Sequence, residues 1–161
     1  MKAATALIAR ILYTKADAIV AVSEGVAKDL ASYFKLSQKR IHVIYNPIVT
    51  EEMASLCMEP TDHSWLNGGN GPVLVSIGRL TAAKDHPTLI AAFKIVRSKL
   101  PLKLIILGEG EERARLQSLI EKEQLQDDIQ MLGFVDNPLP FLKRADLFVL
   151  SSRFEGFPLA L

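Results

Sequence analysis

Short apolar runs alternate along this chain with segments of helical periodicity, and no other feature constrains the fold as strongly. Each run is continuously apolar, which is typical of strands buried on both faces of a sheet. Such strands occur in parallel sheets whose connections are helices. The sequence therefore predicts a doubly wound α/β fold with helices on both faces of the sheet. The predicted strands are residues 18–22, 41–45, 73–77, 102–107, 129–132 and 147–150.

Helical segments lie between these strands and carry apolar side chains on one face. Ser23 is a typical N-cap residue and predicts a helix directly after it. Pro87 occupies a position that the first turn of a helix tolerates. The predicted apolar stripes are Val26, Leu30 and Phe34; Leu89, Ala92, Phe93, Val96 and Leu100; and Leu116, Leu119 and Ile120, while a further short helix begins at Asn137-Pro138.

Residues 46–71 interrupt this rhythm with Pro47, Pro60 and a run of Asn and Gly at 67–71. Such a composition is typical of a linker between domains. We expect residues 1–45 to be the last part of one α/β domain and residues 72–161 to begin a second.

The composition argues against several classes of partner. Nineteen basic and eighteen acidic side chains leave a net charge of +1, so we expect no nucleic-acid partner. Cys57 is the single cysteine, and the three histidines are far apart, so no metal site is expected and a reducing, cytoplasmic compartment is favoured. Residues 1–12 predict an amphipathic helix, and no apolar run is long enough to span a membrane.

Two cations follow the strand at 73–77, Arg79 and Lys84. Ligands of an open parallel sheet bind beyond the carboxyl ends of the strands. An Arg fork and a mobile Lys charge together suit a diphosphate. The alternative interpretation is an ordinary solvated basic loop.

Glycines follow the next two strands, in Gly108-Glu109-Gly110 and in Gly133-Phe134-Val135. Glycine lets a ligand approach the backbone, but both segments are equally consistent with simple turns. The final strand leads into Glu155, Gly156 and Phe157. A carboxylate there can accept hydrogen bonds from sugar hydroxyls, although a loop Glu is normally just solvated.

Taken together, these segments resemble the retaining GT-B glycosyltransferases of the glycogen synthase and mannosyltransferase type, the group 1 family. Each segment is weak evidence alone, but they occur in the order of the family and span nearly the whole chain. The matching segments are residues 16–23, 43–47, Gly78-Arg79-Leu80 with Lys84, 108–110, 133–135, and Ser151-Ser152 through 155–158.

The resemblance implies a GT-B type fold of Rossmann-like domains and transfer of a sugar from a nucleoside diphosphate, most often UDP. Transfer would retain the anomeric configuration and need no metal or other cofactor. Arg79 and Lys84 would hold the diphosphate and offset charge on the leaving group, and Glu155 would meet the donor sugar. The other donor-binding residues implied are Gly78, Gly108, Glu109, Gly133, Phe134, Val135, Gly156 and Phe157.

By the same resemblance, residues 72–161 are an incomplete donor domain and residues 1–45 a remnant of the acceptor domain. The family's second Glu, which holds the ribose, would fall beyond Leu161. We therefore expect the isolated chain to be inactive and the parent to take a glycan or lipid-linked acceptor, with peripheral membrane association compatible with this role. Asp85, where the motif more often has Gly, adds a negative charge that would weaken the phosphate site.

Two other functions compete with this interpretation. A non-catalytic nucleotide-binding module would need a partner chain to complete its site. A Rossmann-type epimerase or dehydrogenase should carry a full GxGxxG after its first strand, and this sequence has none.

Overall fold

The computed structural model of the chain describes residues 3–47, 52–68 and 71–155. Among these residues, 3–47 and Glu155 form one compact unit, and 52–68 and 71–154 form a second. Each unit has its own hydrophobic core. Of the helices in the described ranges, none is long and apolar enough to cross a membrane.

The first unit contains two helices and two parallel strands. Its elements are α1 (Ala3–Lys15), β1 (Ile19–Ala21), α2 (Glu24–Phe34) and β2 (Ile41–Val43). β1 pairs with β2 in parallel, as expected for strands joined by a crossover helix. The predicted N-cap of α2 is confirmed, because Ser23 Oγ accepts a hydrogen bond from the Val26 N–H at 3.2 Å.

The second unit contains a four-stranded parallel sheet with the order β5-β4-β3-β6. The predicted strands are confirmed, although β6 is shorter than predicted. The elements are α3 (Met53–Leu56), β3 (Val73–Ile77), α4 (His86–Arg97), β4 (Lys103–Leu107), α5 (Arg113–Lys122), β5 (Ile129–Gly133), α6 (Leu139–Arg144) and β6 (Leu147–Phe148).

Helices cover both faces of this sheet, as the sequence predicted. Successive side chains of β4 point to opposite faces. Leu104 and Ile106 are fully buried in the core that includes the buried side chains of α4 and α5. Ile105 and Leu107 belong to the opposite core, where Phe141 of α6 packs.

The apolar stripe predicted for α4 is wrong in part. Leu89 and Phe93 are buried as expected, but Val96 and Leu100 are 44% and 58% exposed. The helix ends at Arg97, ahead of Pro101, so Leu100 lies beyond it. The buried face is instead His86, Leu89, Ile90 and Phe93, which has the i, i+3, i+4, i+7 spacing of a helix packed on a sheet.

Residues 52–68, inside the segment predicted to be a linker, belong to the second unit. Trp65 and Leu66 join the core on the α6 face of the sheet. The Asn137 side-chain amide donates to the Leu56 carbonyl at 2.9 Å. The proposed connecting role of residues 46–71 stays a prediction.

Candidate functional site

The second unit has a topological switch point between β3 and β6. From β3 the chain adds β4 and then β5 on one side, and β6 returns to the other side of β3. Doubly wound sheets bind ligands in the crevice at the carboxyl ends of the two strands flanking such a point. The loops that follow β3 and β6, residues 78–85 and 149–154, are therefore the candidate site.

Backbone hydrogen bonds join the loops that follow β3, β4 and β5. The Gly78 N–H donates to Leu107 O at 2.9 Å, and the Leu80 N–H donates to Glu109 O at 2.9 Å. The Gly108 N–H in turn donates to Gly133 O at 2.7 Å. The predicted donor-binding glycines Gly78, Gly108 and Gly133 are thus brought together at one edge of the sheet.

The close approach of these loops explains two of the glycines. A Cβ on Gly108 would lie 2.0 Å from the Gly78 carbonyl oxygen, and one on Gly110 would lie 2.4 Å from the Leu80 oxygen. Both residues also have positive φ angles, 141° and 159°. Gly108 and Gly110 are therefore required by the fold itself, whatever they contact in a complex.

Arg79 and Lys84 both lie at the carboxyl end of β3. The Lys84 side chain passes over Gly78, where an added Cβ would lie 3.1 Å from Lys84 Cε and 3.6 Å from Nζ. Arg79 is exposed, and within the described ranges it makes no ion pair. The loop thus presents positive charge next to the switch point.

The loop after β6 contacts the loop that carries Lys84. Ser151 Oγ donates to the Lys84 carbonyl at 2.8 Å, and the Arg153 N–H donates to the Ala83 carbonyl at 2.9 Å. The Arg153 guanidinium also pairs with Asp85 through Nε at 3.0 Å and Nη2 at 3.3 Å. Ser151 and Arg153 were not predicted as site residues.

Two titratable groups beside Lys84 have shifted pKa values. Hydrogen bonds from Arg153 hold the pKa of Asp85 below its ordinary value; burial opposes this, and the Thr88 hydroxyl reinforces it. Burial, and then the charge of Lys84, lowers the pKa of His86, while the Asp85 carboxylate opposes that shift. At neutral pH His86 is therefore uncharged and Asp85 is a paired anion.

Residues 59–161 match the family of glycosyl transferases group 1. This chain belongs to that family. Residues 1–52 match Glycosyltransferase Family 4. In the parts of the chain that the structure describes, no group of three or more His, Cys, Asp or Glu could hold a metal ion.

The chain is similar to two curated relatives across most of its length. It is 38% identical over 148 residues to an uncharacterized glycosyltransferase of Methanocaldococcus jannaschii, covering 91% of this chain and 36% of that protein. It is 35% identical over 147 residues to a 4-alpha-N-acetylgalactosaminyltransferase of Campylobacter jejuni, covering 91% of this chain and 38% of that enzyme. The chain thus spans less than two fifths of these relatives.

Solved structures show the same fold. HepE of Anabaena, in complex with UDP and glucose, has a TM-score of 0.76 at 18% identity, covering 97% of this chain and 44% of that chain. The galactosyltransferase WaaB in its apo form has a TM-score of 0.65 at 24% identity, covering 92% of this chain and 40% of that chain. The GT-B type α/β fold predicted for this family member is confirmed.

The structure describes four of the six remaining predicted site residues. Glu109 is half-exposed and pairs with Arg113 at 2.7 Å, so its charge is compensated. The Phe134 side chain is 75% exposed, whereas Val135 packs in the core on the α6 face. Glu155 is exposed and belongs to the first unit, so its convergence with Arg79 and Lys84 stays a prediction. Gly156 and Phe157 lie outside the described residues.

Proposed function

We propose that the loop after β3 binds the diphosphate of a nucleoside diphosphate sugar through Arg79 and Lys84. The observation that carries this proposal is the position of both cations at the carboxyl end of β3, beside the switch point of the sheet. An anion there would face an exposed guanidinium and an ammonium held over Gly78. Hydrogen bonds between ionised partners are roughly twice as strong as neutral ones.

The same two cations would assist catalysis in the parent transferase. Negative charge grows on the diphosphate as its bond to the sugar breaks. A fixed positive charge stabilises that transition state more than the ground state, and only such a difference raises the rate. Arg79 and Lys84 would therefore act without a metal ion, and we expect a chelator to leave UDP binding unchanged.

We further propose that the parent transfers the donor sugar with retention of configuration to a glycan or lipid-linked acceptor. The name of the Campylobacter jejuni relative specifies a diphospho-undecaprenol-linked acceptor, and HepE was solved with UDP and glucose. UDP is therefore the first donor nucleotide to test. A lipid-linked acceptor would place the parent enzyme at a membrane surface.

Titration of this chain with UDP tests the donor site. We expect Arg79→Ala/Lys84→Ala to weaken binding by roughly a hundredfold or more, because two charge-assisted contacts are lost. Lys99→Ala/Lys122→Ala is the matched control, since it removes the same charge from exposed positions outside the site and should bind like the wild type. Equal affinity of the two double variants would refute the donor site.

Transfer itself needs a separate assay. A polypeptide extended to the length of the relatives should release UDP from a UDP-sugar only with acceptor present, and NMR of the product should show the anomeric configuration of the donor. An inverted product would refute retention. Turnover by residues 1–161 alone would refute the prediction that this chain is inactive by itself.

A further inference from the structure

The loop after β6 makes two hydrogen bonds to the backbone around Lys84. Arg153 N–H donates to the carbonyl before Lys84, and Ser151 Oγ donates to the carbonyl of Lys84 itself. Each contact joins residues nearly seventy positions apart in the chain. The conformation of the Lys84 loop therefore depends on the β6 loop as well as on its own sequence.

Asp85 follows Lys84 in a conformation that is costly for most residues. Its backbone is left-handed, with φ 49° and ψ 43°, at the N-cap position of α4. Its carboxylate is only 13% exposed and accepts hydrogen bonds from the Thr88 hydroxyl at 3.0 Å and from the Arg153 fork. The two-point pairing with Arg153 favours this one arrangement of the loop.

The charge of Asp85 matters because of where it lies. An unpaired carboxylate in the residue after Lys84 would repel a bound diphosphate. The guanidinium of Arg153 compensates that charge. The sequence-based expectation that Asp85 weakens the phosphate site considered the carboxylate without this partner.

We propose that Arg153 is a positioning residue for the donor: it fixes and neutralises Asp85, and thereby keeps the Lys84 loop in the form that binds the diphosphate. This inference rests on the proposed function of Lys84. Arg153 itself does not contact the donor.

A double-mutant cycle between Arg153 and Asp85 tests the proposal by UDP titration of this chain. We expect Arg153→Ala to weaken binding roughly two- to fivefold, the usual contribution of an exposed ion pair. Asp85→Asn should weaken binding less than Arg153→Ala does, since it removes the ion pair but leaves no unpaired carboxylate, and Asn tolerates the left-handed backbone. Arg153→Ala should then have no further effect in the Asp85→Asn background.

Two results would overturn this role for Arg153. Wild-type affinity of Arg153→Ala would show that the pair is irrelevant to binding. An equal loss in the wild-type and Asp85→Asn backgrounds would show that Arg153 contacts the donor directly. If Arg153 only stabilised the fold, Asp85→Asn would not restore the UDP binding that Arg153→Ala loses. Restored binding in the double variant therefore distinguishes the positioning role.

Controls separate this outcome from misfolding and from failure of the donor site. Arg153→Gln keeps the stem of the side chain and replaces the Ala variant if circular dichroism shows the latter unfolded. Arg115→Ala removes another exposed ion-paired arginine and should bind like wild type. A folded wild type that does not bind UDP refutes the donor site and this inference together, whereas an unaffected Arg153→Ala beside a weakened Arg79→Ala/Lys84→Ala refutes only the inference.

Discussion

The two ends of the sheet in the second unit use charge in opposite ways. At the amino end, Asp128 pairs with Lys103 at 2.8 Å and lies 2.9 Å from Arg97 Nε, a contact without the geometry of a hydrogen bond. Lys103 also donates to the Asp127 carbonyl and lies 5.1 Å from the centroid of the Trp65 ring. The charges of Lys103 and Arg97 are therefore compensated by contacts within the second unit.

At the carboxyl end, the ion pair lies beside the exposed Arg79 and does not include it. Arg153 pairs with Asp85, while Arg79 is exposed and unpaired within the described ranges. The loops there approach each other closely at Gly108 and Gly110, where an added Cβ would meet backbone atoms of the β3 loop. Charge at the amino end therefore stabilises the unit, whereas the exposed charge at the carboxyl end lies where the proposed function places an anionic ligand.

The largest expected effect challenges this division, because it concerns stability at the carboxyl end. Gly108→Ala should destabilise the second unit by about 3 kcal/mol or more, since the new methyl group would overlap the Gly78 carbonyl and φ is positive. Urea unfolding followed by Trp65 fluorescence measures this, as Trp65 is the single tryptophan and lies in the second unit.

Gly25→Ala is the matched control for that substitution. Gly25 lies in α2, and the nearest atom to an added Cβ is Ser23 Oγ at 3.8 Å. Alanine should therefore be neutral or slightly stabilising there. If Gly108→Ala were as stable as wild type, the glycines at the carboxyl end would have to be explained by a ligand alone.

A second prediction tests whether charge at the amino end of the sheet contributes to stability and not to UDP binding. Asp128→Ala should cost about 2–3 kcal/mol, because it leaves Lys103 and Arg97 without their anion. Its affinity for UDP should equal that of wild type. Asp127→Ala, at an exposed neighbouring side chain, should change stability by less than about 0.5 kcal/mol. Weaker UDP binding by a folded Asp128→Ala would show that the two ends are coupled.

The stability that Asp128 contributes through its ion pairs depends on pH. Burial raises the pKa of Asp128, but Lys103 and Arg97 outweigh it, so the net pKa is lowered. The native state thus binds fewer protons than the unfolded state. The stability from this pair is present above the ordinary aspartate pKa and is lost as pH falls through the lowered value.

The sequence predicted the sheet well because its strands are continuously apolar. Leu104, Ile105 and Ile106 are all fully buried, so a run of apolar residues was enough to predict burial on both faces of the sheet. The local pattern also placed Arg79 and Lys84 at the carboxyl end of a strand, but it was equally consistent with a solvated basic loop, and only the family resemblance favoured a role in binding the diphosphate.

The contacts that the sequence did not predict are those set by tertiary structure. No local signal joins Arg153 to Asp85, since the pairing arises when β6 returns beside β3. Trp65 lies in residues 46–71, which were predicted to be a linker from their Pro, Gly and Asn, and nothing in that local composition indicates that its side chain packs in the core. Likewise, the predicted stripe on α4 missed His86 and Ile90, which are buried, whereas Val96 is exposed.

The smallest expected effect concerns His86, whose side chain is influenced by the opposite charges of Lys84 and Asp85. Its side chain is 2% exposed, and Nδ1 has no hydrogen-bond partner among the described residues. Burial and the neighbouring Lys84 lower its pKa below the ordinary 6.5. As pH falls through about 6.5, the unfolded histidine gains a proton that the native one resists, so the native state loses stability there.

We therefore expect the melting temperature of the second unit, read from Trp65 fluorescence, to fall when the pH is lowered from about 8 to about 5.5. His86→Gln should flatten this slope whatever its stability at pH 8, because the titrating group is gone. His42→Gln, at an exposed position, should leave the wild-type slope intact. Parallel slopes for wild type and His86→Gln would mean that another group titrates, and the neutral, buried state of His86 beside Lys84 would then be wrong.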